Sequence, residues 1–211
     1  PNSGKTTLFN SLTGSYQYVG NWPGVTVGRK EGRVKNIEKE VDLVDLPGVY
    51  SLSPYSPEEI VTRDYILNES PDLVINIIDA TNIERNLYLT TQLLELDIRV
   101  IMAVIMTDLL QPKGHKRDYK TLESDLGIKV VPVSAGKNRG IDELLRLISD
   151  ELKSKKNIRT SKSIYSAEVE NALESIDKIV SDGNKYVSNT YFNNIKIFED
   201  DPLLIYKSNF S

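Results

Sequence analysis

The sequence predicts an α/β fold, with a mostly parallel sheet that carries helices on both faces. Apolar segments of strand length alternate along the chain with amphipathic segments of helix length, which is typical of parallel βαβ units. The polar motifs follow the predicted strands, and parallel sheets bind ligands at the carboxyl ends of their strands. We therefore expect one binding site along a single edge of the sheet.

The predicted helices show apolar residues at helical spacing and have recognisable ends. The best defined begins at Ser56, an N-cap candidate that precedes Pro57 and the first-turn acids Glu58 and Glu59. A shorter helix ends at Gly127. The helices predicted for this part of the chain span residues 5–12, 56–67, 83–96, 119–126 and 141–152.

Two kinds of strand are predicted. The first two, at 26–34 and 40–45, flank a polar turn at 35–39. The others have the Val- and Ile-rich composition of strands that are buried on both faces. These buried strands span residues 72–79, 99–106 and 129–133.

The composition changes after Leu152. Residues 153–162 are polar and basic, as in a solvated connector, with a contact to anionic lipid as the alternative. Apolar residues at helical spacing then mark two further helices, one within 169–180 and one within 191–198. We divide the chain into a domain at 1–155, which lacks its first strand and the first glycine of its phosphate loop, and a partial helical domain at 156–211.

Composition excludes several classes of protein. The 12 glycines and the 39% hydrophobic residues together make about 45% of the chain, the ordinary globular fraction. The chain has no cysteine and one histidine, His115, which excludes a disulfide framework, a thiolate metal site and a histidine-cluster metal site. No apolar run is long enough to span a membrane. Because the formal net charge is −4, no nucleic-acid partner is expected.

Residues 1–7 match the end of the phosphate-binding motif G-x-x-x-x-G-K-[ST], whose first glycine would lie two residues before Pro1. The glycine at position 4 lets the backbone approach phosphate without a Cβ atom, and Lys5 adds positive charge beside the β- and γ-phosphates. Thr6 offers its hydroxyl to Mg²⁺. The predicted phosphate site comprises Asn2, Ser3, Gly4, Lys5, Thr6 and Thr7.

A second motif, Asp45-Leu46-Pro47-Gly48, follows the strand predicted at 40–45. At a strand end, the Asp45 carboxylate can hold a water molecule that is bound to Mg²⁺, and Gly48 can donate its N–H to a γ-phosphate. The motif alone is weak, but its place after a phosphate loop and a hairpin makes it specific. We therefore predict that all four residues contact the nucleotide or its metal ion.

The segment before the strand at 26–34 contains two glycines, a proline and the only tryptophan of the chain. Thr26 is placed to supply a second hydroxyl to Mg²⁺. Trp22 has two interpretations that the sequence leaves open, a packing residue or a functional residue of the loop. The nucleotide-binding residues predicted here are Gly24, Val25, Thr26, Val27 and Gly28.

The base site is predicted at the ends of the next two buried strands. Guanine selectivity normally comes from an N-K-x-D loop, and here Asp108 keeps the acidic position. Ile105 stands in the Asn position, where it cannot bond guanine N7 or hydrogen-bond to the phosphate loop, a loss of about 1 to 3 kcal/mol. The full predicted base site comprises Ile105, Met106, Thr107, Asp108, Ser134, Ala135 and Gly136.

Four segments carry a resemblance to a known family. They are residues 1–10, 19–27, 45–52 and 79–89, and the run Gly-Asn-Trp-Pro-Gly-Val-Thr-Val in the second is highly specific. Together they resemble the cytosolic G domain of the prokaryotic ferrous iron transporter B family. The similarity is dense up to about residue 152 and weaker through the helical segments.

The resemblance implies a Ras-like P-loop GTPase fold that binds GTP or GDP with Mg²⁺ and hydrolyses GTP slowly. Its catalytic residues would be Lys5, Thr26 and Gly48, and its Mg²⁺ ligands Thr6, Thr26 and Asp45. In the family, a small helical domain that modulates GDP release and then a membrane permease follow the G domain. The permease is therefore the expected partner, and the cytoplasmic face of the prokaryotic cell membrane is the expected location.

The family also uses a K⁺ ion beside the phosphates as an activator, and this implies a K⁺ site formed by Asn2 and the carbonyls of Gly20 and Trp22. Two positions depart from the family pattern. Ile105 replaces the usual Asn, and Gly28 replaces a residue that is usually acidic.

Two other functions stay open at this point. A ribosome- or RNA-associated GTPase would share every phosphate motif, although it would be expected to carry a basic appendage. A binding-only domain with an impaired base site is suggested by Ile105. Assembly as a homo-oligomer also stays open.

Overall fold

The computed structural model describes residues 4–14, 18–53, 55–96, 98–106, 118–154, 165–182 and 190–201. The strands within these ranges are β1 Tyr18–Asn21, β2 Gly28–Arg33, β3 Asp42–Asp45, β4 Val74–Asp79, β5 Val100–Ile105 and β6 Lys129–Pro132. The α-helices are α1 Lys5–Thr13, α2 Pro57–Glu69, α3 Ile83–Glu95, α4 Tyr119–Leu126, α5 Ile141–Lys153, α6 Ala167–Asp182 and α7 Thr190–Phe198.

The described strands form two three-stranded sheets. β4, β5 and β6 pair in parallel, with Val74 opposite Val100. β1, β2 and β3 form an antiparallel meander in which Lys30 lies opposite Asp45. Among the described strands β3 and β4 do not pair, and a groove of about 630 Å³ is lined by residues of both strands, of α1 and of α5.

Side chains alternate between the two faces along each strand, so the apolar strands of the parallel sheet are apolar on both faces. Helices cover both of these faces. On β5, Ile101 and Ala103 pack with Leu8 of α1 and Leu144 of α5. Met102, on the opposite face of the same strand, packs in a second cluster with residues of α2 and α3. The predicted α/β fold with helices on both faces is confirmed.

The start of α2 follows the predicted capping pattern. The Ser56 hydroxyl accepts a hydrogen bond from the Glu59 N–H at 3.2 Å, and the Glu59 carboxylate accepts one from the Ser56 N–H at 3.1 Å. This reciprocal pair satisfies two backbone donors that a helix terminus would otherwise leave free. The beginning of α2, which follows the loop after Asp45, is therefore fixed by local sequence.

The helical pair α6–α7 packs against the parallel-sheet domain. Phe192 of α7 is fully buried in the cluster that contains Leu52 and Ile66. Beside it, Arg63 of α2 forms an ion pair with Asp201 at 2.7 Å, and both side chains are about 5% exposed or less. The two parts of the chain are thus joined by an apolar contact and a buried ion pair.

The structure corrects one element boundary. We predicted that residues 20–25 form a loop and that a strand begins at Thr26, but Gly20 and Asn21 belong to β1 and the next strand begins at Gly28. The Trp22 N–H donates to the Val27 carbonyl at 3.0 Å, which closes a hairpin. Gly24, in the turn, has a φ of 79° that glycine adopts without strain.

Candidate functional site

Gly4 begins α1 in a backbone conformation that requires glycine. Its φ is 105°, in the left-handed region, and it is the N-cap of the helix. A Cβ atom at this position would lie 2.8 Å from Cδ1 of Ile105. Thr6 and Thr7 occupy the first turn of α1, whose free N–H groups attract anions. Asn2 and Ser3 lie outside the described residues.

Lys5 and Asp45, which the sequence assigns to the same site, are in direct contact. The Lys5 ammonium lies 3.0 Å from the Asp45 carboxylate and donates to the Leu46 carbonyl at 2.5 Å. The Lys5 side chain is 24% exposed and that of Asp45 is 9% exposed. The start of α1 and the end of β3 thus meet at one end of the fold.

The loop that follows Asp45 is fixed on both sides of an exposed Gly48. The Pro47 carbonyl accepts a hydrogen bond from the Thr62 hydroxyl of α2 at 3.4 Å. The Leu52 N–H donates to the side-chain oxygen of Gln92 on α3 at 2.7 Å. Gly48, between these anchors, is therefore available to a ligand.

Arg85 at the start of α3 places its guanidinium 3.8 Å from the ring centroid of Tyr50, in the same loop. Sequence reasoning missed this residue, together with Thr62 and Gln92. A polar side chain on a helix carries no local signal for a partner that lies 15 to 40 residues away in the chain. The only indication was the placement of polar residues within amphipathic helices.

The segment from Trp22 to Val27 is compact, with an exposed tip. The Trp22 carbonyl accepts a hydrogen bond from the Val25 N–H at 3.3 Å. Gly24 and Thr26 are exposed, whereas Trp22 is only 4% exposed. Of the two interpretations of Trp22, a packing residue or a functional residue of the loop, the structure supports the first, because the side chain is buried.

The structure describes part of the first predicted base segment, residues 105–108. Ile105 ends β5 and contacts Gly4, so the base loop meets the phosphate loop through an apolar contact where we expected no connection. Met106 follows with a φ of 58°, which is strained for a residue other than glycine. Thr107 and Asp108 lie outside the described residues.

The second predicted base segment, which begins at Ser134, forms a tight turn. The Ser134 N–H donates to the Arg139 carbonyl at 3.0 Å, and residues 135–137 form a short 3₁₀ helix beside α1. Ala135 packs on the core cluster of Leu8 and Leu144. This turn lies at the carboxyl end of β6, as parallel-sheet topology predicts.

The family model for ferrous iron transport protein B matches residues 1–148 of this chain. The chain belongs to this family. The Fe(2+) transporter FeoB of Escherichia coli (strain K12) is 46% identical over 184 residues, which are 85% of this chain and 23% of that protein. A fusion of Fe(2+) transport protein A with the Fe(2+) transporter FeoB, from Porphyromonas gingivalis (strain ATCC BAA-308 / W83), is 43% identical over 183 residues, or 86% of this chain and 22% of that protein. The chain therefore spans less than a quarter of the length of these FeoB relatives.

Solved structures agree with the family assignment. The cytosolic domain of the T. maritima FeoB iron transporter in its GMPPNP form superposes with a TM-score of 0.88 at 38% identity, covering 98% of this chain and 81% of that one. An S. thermophilus NFeoB mutant bound to GDP gives a TM-score of 0.86 at 44% identity, covering 98% and 79%. These matches confirm the predicted FeoB G-domain fold, and they do not favour the RNA-associated alternative.

Among the described residues, no helix combines the length and the apolar composition that crossing a membrane requires.

Proposed function

We propose that this chain is the GTP-binding regulatory module of a ferrous iron transporter and that it hydrolyses GTP slowly. The observation that carries the proposal is the contact between Lys5 and Asp45 beside the left-handed Gly4. It joins the phosphate loop to the D-x-x-G segment, the two elements that hold the nucleotide in P-loop enzymes. The nucleotide-bound FeoB relatives support a guanine nucleotide as the ligand.

The Lys5–Asp45 pair indicates how a nucleotide would enter. Phosphate oxygens compete with Asp45 for the Lys5 ammonium, and release of Lys5 frees the Asp45 carboxylate. Because Lys5 is partly exposed, exchanging this partner costs little desolvation. We infer that the pair is replaced by contacts to the nucleotide.

The donor set of the site fits Mg²⁺. Thr6 and Thr26 supply hydroxyls and Asp45 supplies a carboxylate, and Mg²⁺ prefers such hard oxygen ligands. When bound, Mg²⁺ neutralises charge that develops on the transferred phosphoryl group. Thr26 is exposed at the tip of the 22–27 loop, so the loop must close over the nucleotide before its hydroxyl can reach the site.

Val49 leaves water activation to other groups. In many G proteins a glutamine follows D-x-x-G and orients the attacking water, and a valine has no group for this role. We infer that Lys5 and the N–H of Gly48 stabilise the developing charge and that backbone groups near Thr26 place the water. Slow hydrolysis follows, because positioning is incomplete until the loop closes.

Single-turnover GTP cleavage at saturating protein tests this account. Thr26→Ala is expected to abolish GTP hydrolysis above the slow intrinsic rate. Val49→Ala should change the rate of GTP cleavage by less than about tenfold, since no polar contact is removed. Equal damage from both substitutions would contradict backbone placement of the water. Calorimetric titration with GDP, GTP and ATP checks nucleotide choice in the same preparations, and it also separates this function from a binding-only domain.

Lys5→Met provides the sharpest test of the site itself. It should remove nucleotide binding, because the ammonium that faces the phosphates is lost while the apolar stem stays. Lys120→Met on the exposed face of α4 is the matched control, since it removes a lysine charge away from the site. Equal nucleotide affinity in the two variants would exclude this phosphate site.

We further propose a K⁺ site beside the phosphates, formed by Asn2 and the carbonyls of Gly20 and Trp22. The Trp22 carbonyl already accepts one long bond of 3.3 Å from Val25 and keeps a second lone pair for a cation. Hydrolysis should then be faster in KCl than in NaCl at equal ionic strength, and Asn2→Ala should lose the difference. Identical rates in the two salts would reject the site.

The larger assembly is also a proposal. We propose a G domain at 1–155 and a partial helical domain at 156–211, a division supported by the end of α5 at Lys153 and the start of α6 at Ala167. A membrane permease of the same transporter would be the partner, at the cytoplasmic face of the prokaryotic membrane. The FeoB relatives, which are Fe(2+) transporters more than four times as long as the matched segment, support this arrangement.

A further inference from the structure

Trp22 is buried although the loop that carries it is exposed. Its side chain is 4% exposed, whereas Pro23, Gly24 and Thr26, which follow within four residues, are all exposed. It is also the only tryptophan of the chain. Within this exposed loop, the indole ring is therefore a side chain that packs into the domain.

Within the part of the chain that the structure describes, the indole makes one hydrogen bond and two ring contacts, each with a different element. Its Nε1–H donates to the Asp45 carbonyl at the end of β3, at 3.2 Å. The Tyr65 ring of α2 meets it edge-on, with centroids 5.3 Å apart and an interplanar angle of 81°. The Arg29 guanidinium of β2 lies 4.8 Å from its centroid and is itself held by Glu31 at 2.5 Å.

Two of these contacts reach the segment that would sense the γ-phosphate. Asp45, whose carbonyl accepts the indole N–H, is the residue whose carboxylate pairs with Lys5. Tyr65 lies on α2, one turn after Thr62, which holds the Pro47 carbonyl. The indole therefore contacts the start of the stretch that contains Gly48 and the helix that holds the Pro47 carbonyl.

We propose that the Trp22 side chain is a positioning residue that couples the 22–27 loop to Asp45 and α2. In this arrangement the indole ties the base of the loop to the end of β3, so that closure of the loop tip brings the Thr26 hydroxyl toward the metal ion that Asp45 would hold. The inference rests on the proposed GTP and Mg²⁺ site, and Trp22 itself touches neither ligand.

The indole N–H distinguishes coupling from simple packing. A phenylalanine keeps an aromatic ring against Tyr65 and Arg29 but has no donor for the Asp45 carbonyl, which lies on a 9% exposed residue. If the ring only fills space, Trp22→Phe should behave like the wild type. If the N–H positions Asp45, Trp22→Phe should lower the Mg²⁺-dependent gain in nucleotide affinity and the rate of GTP cleavage.

The test measures binding of fluorescent mant-GDP with Mg²⁺ and with EDTA, together with the rate of single-turnover GTP cleavage. In Trp22→Phe, we expect the Mg²⁺-dependent gain in affinity and the cleavage rate each to fall by about fivefold, the factor that one ordinary hydrogen bond supplies. Affinity in EDTA should stay within about twofold of the wild type, since the phosphate loop is untouched. Tyr88→Ala, an exposed aromatic on α3, is the matched control and should change neither quantity.

Two results would overturn the proposal. One is an unchanged Mg²⁺ dependence and cleavage rate in Trp22→Phe. The other is an equal loss of affinity with Mg²⁺ and with EDTA, which would assign the ring to packing alone. Trp22→Ala removes the ring contacts as well, and its melting temperature shows how much of its effect is unfolding. A wild type that binds mant-GDP with Mg²⁺ but cleaves no GTP would refute slow hydrolysis, while the Mg²⁺ comparison would still decide the role of Trp22.

Discussion

The molecule places oppositely charged pairs in two very different settings. At the nucleotide end, Lys5 and Asp45 lie 3.0 Å apart and the lysine is about a quarter exposed. Between α2 and the segment after α7, Arg63 and Asp201 lie 2.7 Å apart and are almost fully buried. Under the proposed function, the first pair exchanges its partner for phosphate and metal, and the partly solvated lysine is the member that moves. The second pair cannot separate without stranding a charge in the interior, so it holds the helical pair in place.

The buried region is also richer in charge. Lys196 of α7 is nearly inaccessible, pairs with Glu199 at 2.5 Å and lies 5.3 Å from the ring centroid of Phe192. Glu95 of α3 accepts a hydrogen bond from the Tyr165 hydroxyl, and its second carboxylate oxygen has no hydrogen-bond partner among the residues that the structure describes. Similar ion pairs thus serve two purposes, and the degree of burial decides which.

The largest expected effect follows from removing one member of the buried pair. Arg63→Ala should lower the free energy of unfolding by about 3 to 5 kcal/mol, because Asp201 is left charged and buried. Lys5→Ala should cost clearly less, because the lysine that it removes is already about a quarter exposed, although Asp45 is only 9% exposed. Urea denaturation of both variants measures the difference. Similar losses would remove the contrast between the two regions.

The double variant Arg63→Met with Asp201→Leu sharpens that test. Replacing both charges by apolar groups of similar size leaves no stranded carboxylate, so most of the loss seen in Arg63→Ala should be recovered. A double variant as unstable as the single one would mean that the Arg63 side chain acts mainly through Phe192, whose ring centroid lies 5.5 Å from its guanidinium.

The next effect concerns the base loop at the exchangeable end. Ile105→Asn should strengthen guanine-nucleotide binding by about 1 to 3 kcal/mol, because it restores a polar partner. Ile105→Val, which keeps the position apolar and removes only the Cδ1 methyl group that lies nearest to Gly4, is the control and should bind like the wild type. Calorimetry with GDP decides, and equal affinity in all three proteins would exclude position 105 from base recognition.

A companion substitution tests the base contact that the sequence assigns to Asp108. Asp108→Asn should shift preference from guanine toward xanthine, because one acceptor becomes a donor. Competition between GDP and XDP measures the shift, and an unchanged preference would remove Asp108 from this role.

The stability of the buried region should depend on pH through the carboxyl group of Glu95. Burial raises the pKa of the Glu95 carboxyl above its usual value, although Tyr165 and Lys196 offset part of the increase. A carboxyl whose pKa is raised on folding binds more protons in the folded state, so its contribution to stability is lost as the pH rises from about 4.5 through the folded pKa. Glu95→Gln should therefore flatten the decline of stability over that window, as measured by urea denaturation at a series of pH values. An unchanged slope would mean that Glu95 keeps an ordinary pKa.

Local sequence predicted one of these regions far better than the other. The phosphate loop, the D-x-x-G segment and the capped start of α2 depend on residues a few positions apart, and the parallel topology brings their ends together. Arg63 and Asp201 are separated by 138 positions, and no periodicity or cap indicates such a partner. The same holds for β1, whose pairing depends on a hairpin closed by Trp22 and Val27 rather than on strand propensity. Ile105 was recognised as unusual, but its contact with Gly4 required the packing of two loops.

The smallest effect expected is at Arg85, which lies between the two regions. Its guanidinium is 3.8 Å from the Tyr50 ring centroid, and an exposed contact of this kind is worth about 0.5 to 1 kcal/mol. Arg85→Ala should therefore leave the global unfolding midpoint nearly unchanged. It should, however, increase hydrogen exchange at the amides of residues 48–51, because the loop then loses its contact with α3 at Arg85 and depends on the hydrogen bonds of Thr62, Gln92 and Glu59. Arg146→Ala on the exposed face of α5 is the control, since its ion pair with Asp150 is distant from this loop. Equal exchange at these amides in the wild type and Arg85→Ala would mean that the hydrogen bonds of the loop fix it without Arg85, and that exchangeability at the nucleotide end depends on the Lys5–Asp45 pair.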